Sequence, residues 1–318
     1  MKIFGSAMAL ALCLCGSAAH ADNESIALFT KNQTNPYFQS IRLGAQSAAT
    51  QLHATLTNYV PTQADSIPEQ MSQIDDVIVK RPSAVVFVPV DFKAMGPGIA
   101  KLNAAKIPAV NISDKAQTGD FVSFVGASDY QLGLQTARYL LKSLGGKGNV
   151  IILEGVQGTS TSEERMRGFH DALKEAPGVK VLSSQPGNYQ RMQALQVVEN
   201  LLQTYPKVDG ILAANDAMAI GALDALDDAN RKAQVVGINA SKEAVDLIKQ
   251  GKLLASGDYS GFEQGCIGVM AAVRALHKEP VPKEISLKTE VVTSANYQRF
   301  DVEPEKMSCP TWAEAVAQ

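Results

Sequence analysis

Polar and aromatic residues cluster at the positions that directly follow predicted strands. Amide and carboxylate groups pair with hydroxyl groups, and an arginine fork holds two ligand oxygens at once. Aromatic rings cover the apolar C–H faces of a small ligand. This combination favours binding of a small hydroxyl-bearing molecule. The candidate ligand-binding residues are Lys31, Asn35, Tyr37, Phe38, Ser113, Asp114, Arg165, Tyr189, Asn215, Asn239, Asp258 and Tyr259.

Arg165 lies in the first turn of a predicted helix, Thr161–Glu175, where Thr161 and Glu164 have the spacing of a capping box. From this position a long side chain reaches into a neighbouring cleft. The alternative is a surface arginine that pairs with Glu163 or Glu164, an interaction that contributes little. The residues alone leave the two interpretations equal.

Asn215 and Asp216 follow an apolar strand and open a helix. Either side chain suits an ordinary helix N-cap, which leaves the other to face a ligand. Tyr37 lies off the core face of its helix and is the better candidate for stacking, whereas Phe38 continues that core face. Tyr189 follows a Pro-Gly-Asn turn, where it either closes the site or covers a loop surface.

Lys31 and Asp114 carry opposite charges on two of these segments. They form an ion pair across the cleft, or they meet a charged ligand, and the sequence does not decide between the two. A ligand that carries a carboxylate would favour joint action of Lys31 and Arg165.

The usual signatures of enzymes are missing from the sequence. His53, His170 and His277 are isolated and lack the spacing of metal ligands. No Gly-x-Ser-x-Gly nucleophile elbow occurs. The glycines at 145–148 precede a predicted strand, which is typical of a turn and not of a phosphate-binding loop. The sequence therefore predicts no enzyme, no cofactor and no metal site.

Strand patterns alternate with helix patterns along the chain. Ala84–Val90 is a continuous apolar run, as expected for a strand that is covered on both faces of a parallel sheet. Helices such as Ile67–Lys80 and Arg191–Thr204 separate the strands at spacings typical of βαβ units. About ten strands exceed one comfortable sheet. We therefore predict an α/β fold of two Rossmann-like lobes with parallel central sheets.

The chain is predicted to cross between the two lobes three times. The three linkers form a three-segment hinge at 126–130, at 258–262 and near 289–293. Ligands of such sheets bind at the carboxyl ends of the strands, so the candidate residues would face the cleft between the lobes. The predicted organisation is a signal peptide at 1–21, an N-terminal lobe of 22–127 plus 260–290, and a C-terminal lobe and tail of 128–259 plus 291–318.

Residues 1–21 have the pattern of a cleaved secretory signal. Lys2 precedes an apolar stretch at 7–14 that is too short to span a bilayer, and Ala19-His20-Ala21 is a small-x-small cleavage site. We expect an exported protein in the periplasm. Removing Lys2 from 29 basic and 32 acidic residues leaves 28 against 32, a net charge of −4. No basic face for nucleic acid is implied.

Two cysteines, Cys266 and Cys309, remain after cleavage at this site. Export permits a disulfide between them, which would tie the C-terminal tail to the body of the protein. The alternative is a pair of buried thiols that lie far apart, because a sequence measures no distance.

Four segments resemble the ribose/galactose type of periplasmic binding protein, and within it the ribose-binding branch most closely. They are SIALFTKNQTNPYFQSIRLGA (25–45), GTSTSEERMRGFHDAL (158–173), DGILAANDAMAIGALDAL (209–226) and VVGINASKEAVDLIKQGKLLAS (235–256). The resemblance runs from about residue 25 to 290. The residues that match the family's polar and stacking contacts are Asn35, Tyr37, Phe38, Arg165, Tyr189 and Asn215.

The chain departs from the family's pattern at several positions. Asn239 stands where the family usually has aspartate, which keeps a hydroxyl acceptor but loses the charge. Lys31 replaces a small polar residue, Ser113-Asp114-Lys115 stands at an Asp-Arg pair, and Asp258-Tyr259 replaces Ala-Gln. The tail at 291–318 has no counterpart in the ribose-binding pattern.

The resemblance implies a monomeric receptor whose lobes close on a monosaccharide or polyol. It also implies delivery of that ligand to an ABC permease in the inner membrane. One alternative is a periplasmic receptor that presents its ligand to a membrane sensor or chemoreceptor. A small polar ligand other than a sugar is also compatible with these residues.

Overall fold

A computed structural model of the protein describes residues 23–317, so the predicted signal peptide at 1–21 lies outside the described residues. The strands are β1 (Ser25–Phe29), β2 (Thr55–Tyr59), β3 (Ala84–Phe87), β4 (Ala109–Ile112), β5 (Phe124–Ala127), β6 (Lys147–Glu154), β7 (Gly178–Pro186), β8 (Gly210–Ala213), β9 (Gln234–Ile238), β10 (Ala255–Asp258), β11 (Glu284–Leu287) and β12 (Glu290–Thr293). The α-helices are α1 (Pro36–Gln51), α2 (Ile67–Lys80), α3 (Gly96–Ala104), α4 (Asp129–Ser143), α5 (Ser160–Lys174), α6 (Arg191–Thr204), α7 (Asp216–Asp228), α8 (Lys242–Lys249), α9 (Gly261–Leu276) and α10 (Trp312–Val316). Short 3₁₀ turns form at Tyr297–Arg299 and Pro304–Lys306.

The strands form two six-stranded sheets. The first has the order β11-β5-β4-β3-β1-β2, and all of its strand pairs are parallel. The second has the order β12-β10-β9-β8-β6-β7 and is parallel except for β12, which runs antiparallel to β10. The central strands β3 and β8 are buried along their whole length because helices cover both faces of each sheet. The predicted α/β fold with two parallel-dominated sheets is confirmed.

The chain passes between the two sheets at three places. It leaves the first sheet after β5, returns after β10, and leaves again between β11 and β12. These places coincide with the predicted linkers. We call the part built on the first sheet the N-lobe and the part built on the second sheet the C-lobe, and the boundaries at 127/128, 259/260 and 290/291 stay a prediction.

The C-terminal tail contacts both lobes. Its first part forms β12 on the second sheet, but α10 packs on α9 and β11 of the N-lobe. A disulfide between Cys266 and Cys309 fastens the tail to α9, so of the two alternatives the structure contains the bridge. The part of the tail from Cys309 onward therefore packs on the N-lobe. An apolar contact surface for α10 on the N-lobe was not visible in the sequence.

Helices α1 and α9 pack closely because small residues let their backbones approach. A Cβ atom on Gly44 would lie 1.9 Å from the carbonyl oxygen of Phe262, and one on Gly265 would lie 2.1 Å from that of Ile41. This contact positions α1, which carries the candidate residues Tyr37 and Phe38 in its first turn and has Asn35 as its N-cap.

We predict that Gly44→Ala destabilises the protein by about 1–3 kcal/mol, because the added methyl group would have to displace the α9 backbone. In an exposed helix position the same substitution stabilises by about 1 kcal/mol, so the sign of the effect is diagnostic. Urea unfolding followed by circular dichroism measures the change. Gln46→Ala, on the exposed face of the same helix, is the control and should differ little from the parent.

Candidate functional site

A small cavity lies where the carboxyl ends of the two sheets face each other. Its volume is about 30 Å³. Eleven of the twelve candidate residues line it, and Asp258 is the exception. The lining residues are Lys31, Asn32, Asn35, Tyr37, Phe38, Asp65, Ser113, Asp114, Val156, Thr161, Arg165, Tyr189, Asn215, Asn239 and Tyr259. We call this space the inner cavity.

Arg165 is almost completely buried and reaches into the cleft from α5. Its Nε donates to Asp129 Oδ1 at 2.8 Å, and its Nη1 donates to the carbonyl oxygen of Ala214 at 2.7 Å. Its guanidinium lies 4.5 Å from the ring centre of Tyr259, a cation–π contact. The alternative of a surface arginine is wrong, because the Arg165 side chain is only 2% exposed and pairs with Asp129.

The helix that carries Arg165 begins earlier than predicted. Thr159 is its N-cap, and its side-chain oxygen accepts from the Ser162 N–H at 3.2 Å. The predicted capping box at Thr161 and Glu164 was therefore wrong. The earlier start places Thr161 in the first turn, where its backbone N–H points at Asp114 of the N-lobe.

Lys31 and Asp114 form a buried ion pair within the N-lobe, so the pair does not cross the cleft. Asp114 itself does reach across. Its Oδ1 accepts from the Ser160 hydroxyl and, at 3.3 Å, from the Thr161 N–H. A carboxylate at the N-terminus of α5 is favourable because the first turn leaves N–H groups unpaired. Asp114 thus connects the N-lobe to the C-lobe.

Two tyrosines form one wall of the inner cavity. The rings of Tyr37 and Tyr259 stack with centroids 5.2 Å apart, and Phe38 packs against Tyr37 edge-on. The hydroxyl of Tyr37 donates to Ser113 Oγ at 3.0 Å. The hydroxyl of Tyr259 lies 2.8 Å from the Ser113 carbonyl oxygen and 2.9 Å from Asp129 Oδ2. Aromatic stacking and hydrogen bonding therefore connect the hinge with both lobes.

The opposite wall comes from the C-lobe. Asn215 caps α7 by accepting from the Met218 N–H at 3.0 Å, and its amide donates to the carbonyl oxygen of Tyr189 at 3.2 Å. Asn215 is thus both the N-cap and a cavity residue. Tyr189 and Asn239 adopt positive φ angles of 60° and 136°, which side-chain-bearing residues rarely adopt. Strain of this kind persists where surrounding contacts hold a functional side chain in place.

Asp258 and Asp216 lie outside the inner cavity. Asp258 accepts from the N–H and the hydroxyl of Ser260, both at 2.8 Å, and shapes the second linker. Asp216 accepts from the Ser241 N–H at 2.7 Å and from the Ser256 hydroxyl. Both carboxylates instead border a larger groove, of about 880 Å³, that adjoins the inner cavity.

Two acidic residues of the site were missed by sequence analysis. Asp129 pairs with Arg165, and burial raises its pKa above the usual aspartate range while the Arg165 guanidinium opposes this. Asp65 lines the inner cavity and accepts from the Asn32 amide at 3.2 Å. An aspartate in a first helical turn or in a loop is ordinary, so neither carried a usable signal.

Other kinds of site receive no support from the described residues. Within 23–317, no three His, Cys, Asp or Glu side chains lie together as a metal site requires. In the same range no helix combines the length and the apolar character that a membrane span needs.

Comparison with known proteins agrees with this geometry. A family model described as a periplasmic binding protein domain matches residues 26–280. The chain belongs to the periplasmic binding protein family. The ribose import binding protein RbsB of Haemophilus influenzae is 33% identical over 288 residues, which are 91% of this chain and 97% of that protein. The xylitol-binding protein of Mycolicibacterium smegmatis is 28% identical over 296 residues, 91% of this chain and 84% of that protein.

A solved structure shows the same fold. The ABC transporter periplasmic solute binding protein of Actinobacillus succinogenes, with bound D-allose, superposes with a TM-score of 0.83 at 32% identity. The match covers 87% of this chain and 99% of that one. The resemblance predicted from four sequence segments is therefore confirmed. Periplasmic binding proteins serve ABC importers in the periplasm and are not enzymes, as the sequence also indicated.

We predict that Asp216→Asn changes how stability depends on pH. Burial raises the pKa of Asp216 to about 6, whereas an unfolded aspartate titrates near about 3.9. The native state therefore binds this proton more tightly than the unfolded state does. The contribution of this proton to the free energy of unfolding is fully present below the unfolded pKa, and it is lost as the pH rises through about 6. The asparagine variant has no such proton, so it should gain stability relative to the parent as the pH rises.

Urea unfolding of both proteins at about pH 4.5 and about pH 7.5 measures the difference. The control is Asp228→Asn, which removes an exposed carboxylate from the end of the same helix. A free-energy difference between Asp216→Asn and the parent that stays constant with pH would contradict this assignment.

Proposed function

We propose that this protein binds a neutral monosaccharide or polyol between its lobes and delivers it to an ABC permease. The relatives support the ligand class, since their names give ribose, xylitol and allose. We restrict the ligand to neutral compounds because both cations of the inner cavity are already paired with carboxylates of the protein.

The charge balance of the inner cavity disfavours an acidic ligand. Lys31 is paired with Asp114, and Arg165 is paired with Asp129. Asp65 adds a third carboxyl group, and burial raises its pKa. A ligand carboxylate would lose its water shell on entering the inner cavity. Both cations there are already paired with aspartates, so the buried charge of the ligand would remain uncompensated, which costs free energy. Neutral hydroxyls, by contrast, suit the amides of Asn35, Asn215 and Asn239.

Binding must include separation of the lobes. The inner cavity of about 30 Å³ is close to the volume that one water molecule takes in the liquid. A sugar is larger than this, so it enters only when the lobes move apart. The contacts that close the lobes are local and polar. They include the bonds of Asp114 to the start of α5, a bond of 3.0 Å from the Lys115 N–H to the Ser160 hydroxyl oxygen, and a bond of 3.1 Å from the Phe92 N–H to the Gly158 carbonyl oxygen. Such contacts break and re-form at modest cost during hinge motion.

We further propose that the protein is exported to the periplasm and acts there as a monomer. The pattern at 1–21 supports export through a cleaved signal peptide, and the mature protein would act as a monomer in the periplasm. Two lobes within one chain supply both walls of the inner cavity, so a second copy is not needed to complete it.

A thermal-shift panel on the purified mature protein tests the ligand class. Neutral members are D-ribose, D-allose and xylitol, and their acidic counterparts are D-ribonate and D-glucuronate. Binding to the native state raises the melting temperature by mass action. We expect one or more neutral compounds to raise it and the acids to leave it unchanged. If only the acids raise it, the neutral assignment is wrong.

Tyr189→Phe tests the predicted role of this residue in the inner cavity. The ring would remain, while the hydroxyl that a sugar oxygen would meet is removed. We expect the Kd for the best neutral ligand to rise about 5- to 10-fold, as for loss of one hydrogen bond of about 1–1.5 kcal/mol. Isothermal calorimetry measures it. Tyr139→Phe, on a partly buried face of α4, is the control, and an equal Kd in both variants would remove Tyr189 from the site.

A further inference from the structure

The C-terminal tail forms a fourth connection between the lobes. We define the strap as residues 294–311, which lead from the end of β12 in the C-lobe to the start of α10 on the N-lobe. The matched family segment ends at residue 280, so the strap lies beyond it. The three hinge linkers are direct passages between sheets, whereas the strap takes a path of its own over the molecular surface.

Ion pairs fasten the strap to the C-lobe. Asp301 accepts from Lys249 at 2.8 Å and lies 3.2 Å from Lys242, and both lysines belong to α8. Glu303 lies 3.4 Å from the same Lys242. The turn Tyr297–Arg299 also contacts α8. These contacts are half-exposed and electrostatic, so each is weak alone.

A covalent bond fastens the strap to the N-lobe. Cys309 is bonded to Cys266, which lies fully buried in α9. Just beyond the strap, the Trp312 ring lies 4.7 Å from the guanidinium of Arg274, and Ala315 is completely buried. The turn Pro304–Lys306 contacts α1. This end of the strap cannot leave the N-lobe while the disulfide is intact.

Between its two anchors the strap forms one wall of the large groove that adjoins the inner cavity. Four residues border both spaces, which makes them continuous: Asn35, Tyr37, Tyr189 and Asn239. The strap residues that line the groove are Arg299, Phe300, Val302, Pro304, Lys306, Met307 and Ser308. The strap therefore crosses the cleft on the side where its two spaces meet.

We propose that the strap acts as a restraint that opposes opening of the lobes and thereby strengthens ligand binding; this rests on the proposed function. Cys309 lies eight positions after Asp301, and such a segment spans at most about 26–29 Å when fully extended. It contains a turn at Pro304–Lys306 and so has some slack. Because the disulfide holds the N-lobe end, opening that extends the segment beyond this slack breaks the ion pairs of Asp301 and Glu303. The cost of breaking them favours the closed form.

Release of either anchor should therefore shift the protein towards the open form. Two variants of the full mature chain achieve this: Cys266→Ala with Cys309→Ala frees the N-lobe end, and Asp301→Asn loosens the C-lobe end. Glu175→Gln is the control, because it breaks the exposed ion pair with Arg138 within the C-lobe and away from the strap. The Asp301→Asn variant keeps the test valid if the cysteine variant folds poorly.

The primary measurement needs no ligand. Spin labels at the exposed positions Ser72→Cys in α2 and Gln203→Cys in α6 report the distance between the lobes. We expect both strap variants to shift the distribution to longer distances and the control to leave it unchanged. Unchanged distances in both strap variants would overturn the proposal, whether or not the protein proves to bind sugars.

The second measurement uses the neutral compound that binds best in the thermal-shift panel. A smaller closed population raises the apparent Kd in proportion, and we expect a rise of about 3- to 10-fold in each strap variant. Combining both releases should add little, because freeing one end already frees the strap. Full additivity, or a Kd equal to that of the Glu175→Gln control, would contradict the strap as a restraint.

Discussion

Two positive charges lie buried where the lobes meet, and the cost of burying them determines how the cleft is arranged. Lys31 and Arg165 are each more than nine-tenths buried, and each has a carboxylate partner. Removing one partner from such a pair destabilises a protein by about 3–5 kcal/mol, because a charge is then left without solvent or counter-ion. The cleft is therefore polar in composition and nearly neutral in charge, and this balance suits ligands that are rich in hydroxyls.

The same carboxylates also connect parts of the fold that lie far apart in the sequence. Asp114 holds Lys31 within the N-lobe and reaches the first turn of α5 in the C-lobe. Asp129 holds Arg165 and lies beside the hydroxyl of Tyr259 in the second linker. Charge neutralisation and lobe closure thus depend on the same side chains. Loss of either ion pair would therefore affect the charge balance of the cleft and the contacts between the lobes.

Regular elements with strong local signals were predictable from the sequence. The bounds of α2 and α6 were predicted to the residue, since Ser66 caps α2 and the Arg81-Pro82 step ends it. The strands β11 and β12 were not predicted, because both are only four residues long and lie at the edges of their sheets, where a short strand resembles a loop. The N-cap of α5 was misplaced by two residues, since Thr159 and Thr161 suit that role equally well.

The inner cavity was predictable as a set of residues but not as a network. Strand ends point to one edge of each sheet, which identified ten of its lining residues, and Tyr189 was identified from the turn before it and from the family resemblance. The partner of Arg165 lies 36 residues away, and that of Lys31 lies 83 residues away. Pairings over such distances arise from tertiary packing, which no local pattern encodes. The same reason hid the return of the tail to the N-lobe.

A crystal structure of the protein with its best neutral sugar bound would show whether the ligand lies between the paired charges of the cleft. We expect a sugar between Tyr37 and Tyr189, with the Lys31–Asp114 and Arg165–Asp129 pairs both intact. A structure in which the sugar lies outside the cleft, or in which either cation has left its carboxylate, would contradict it.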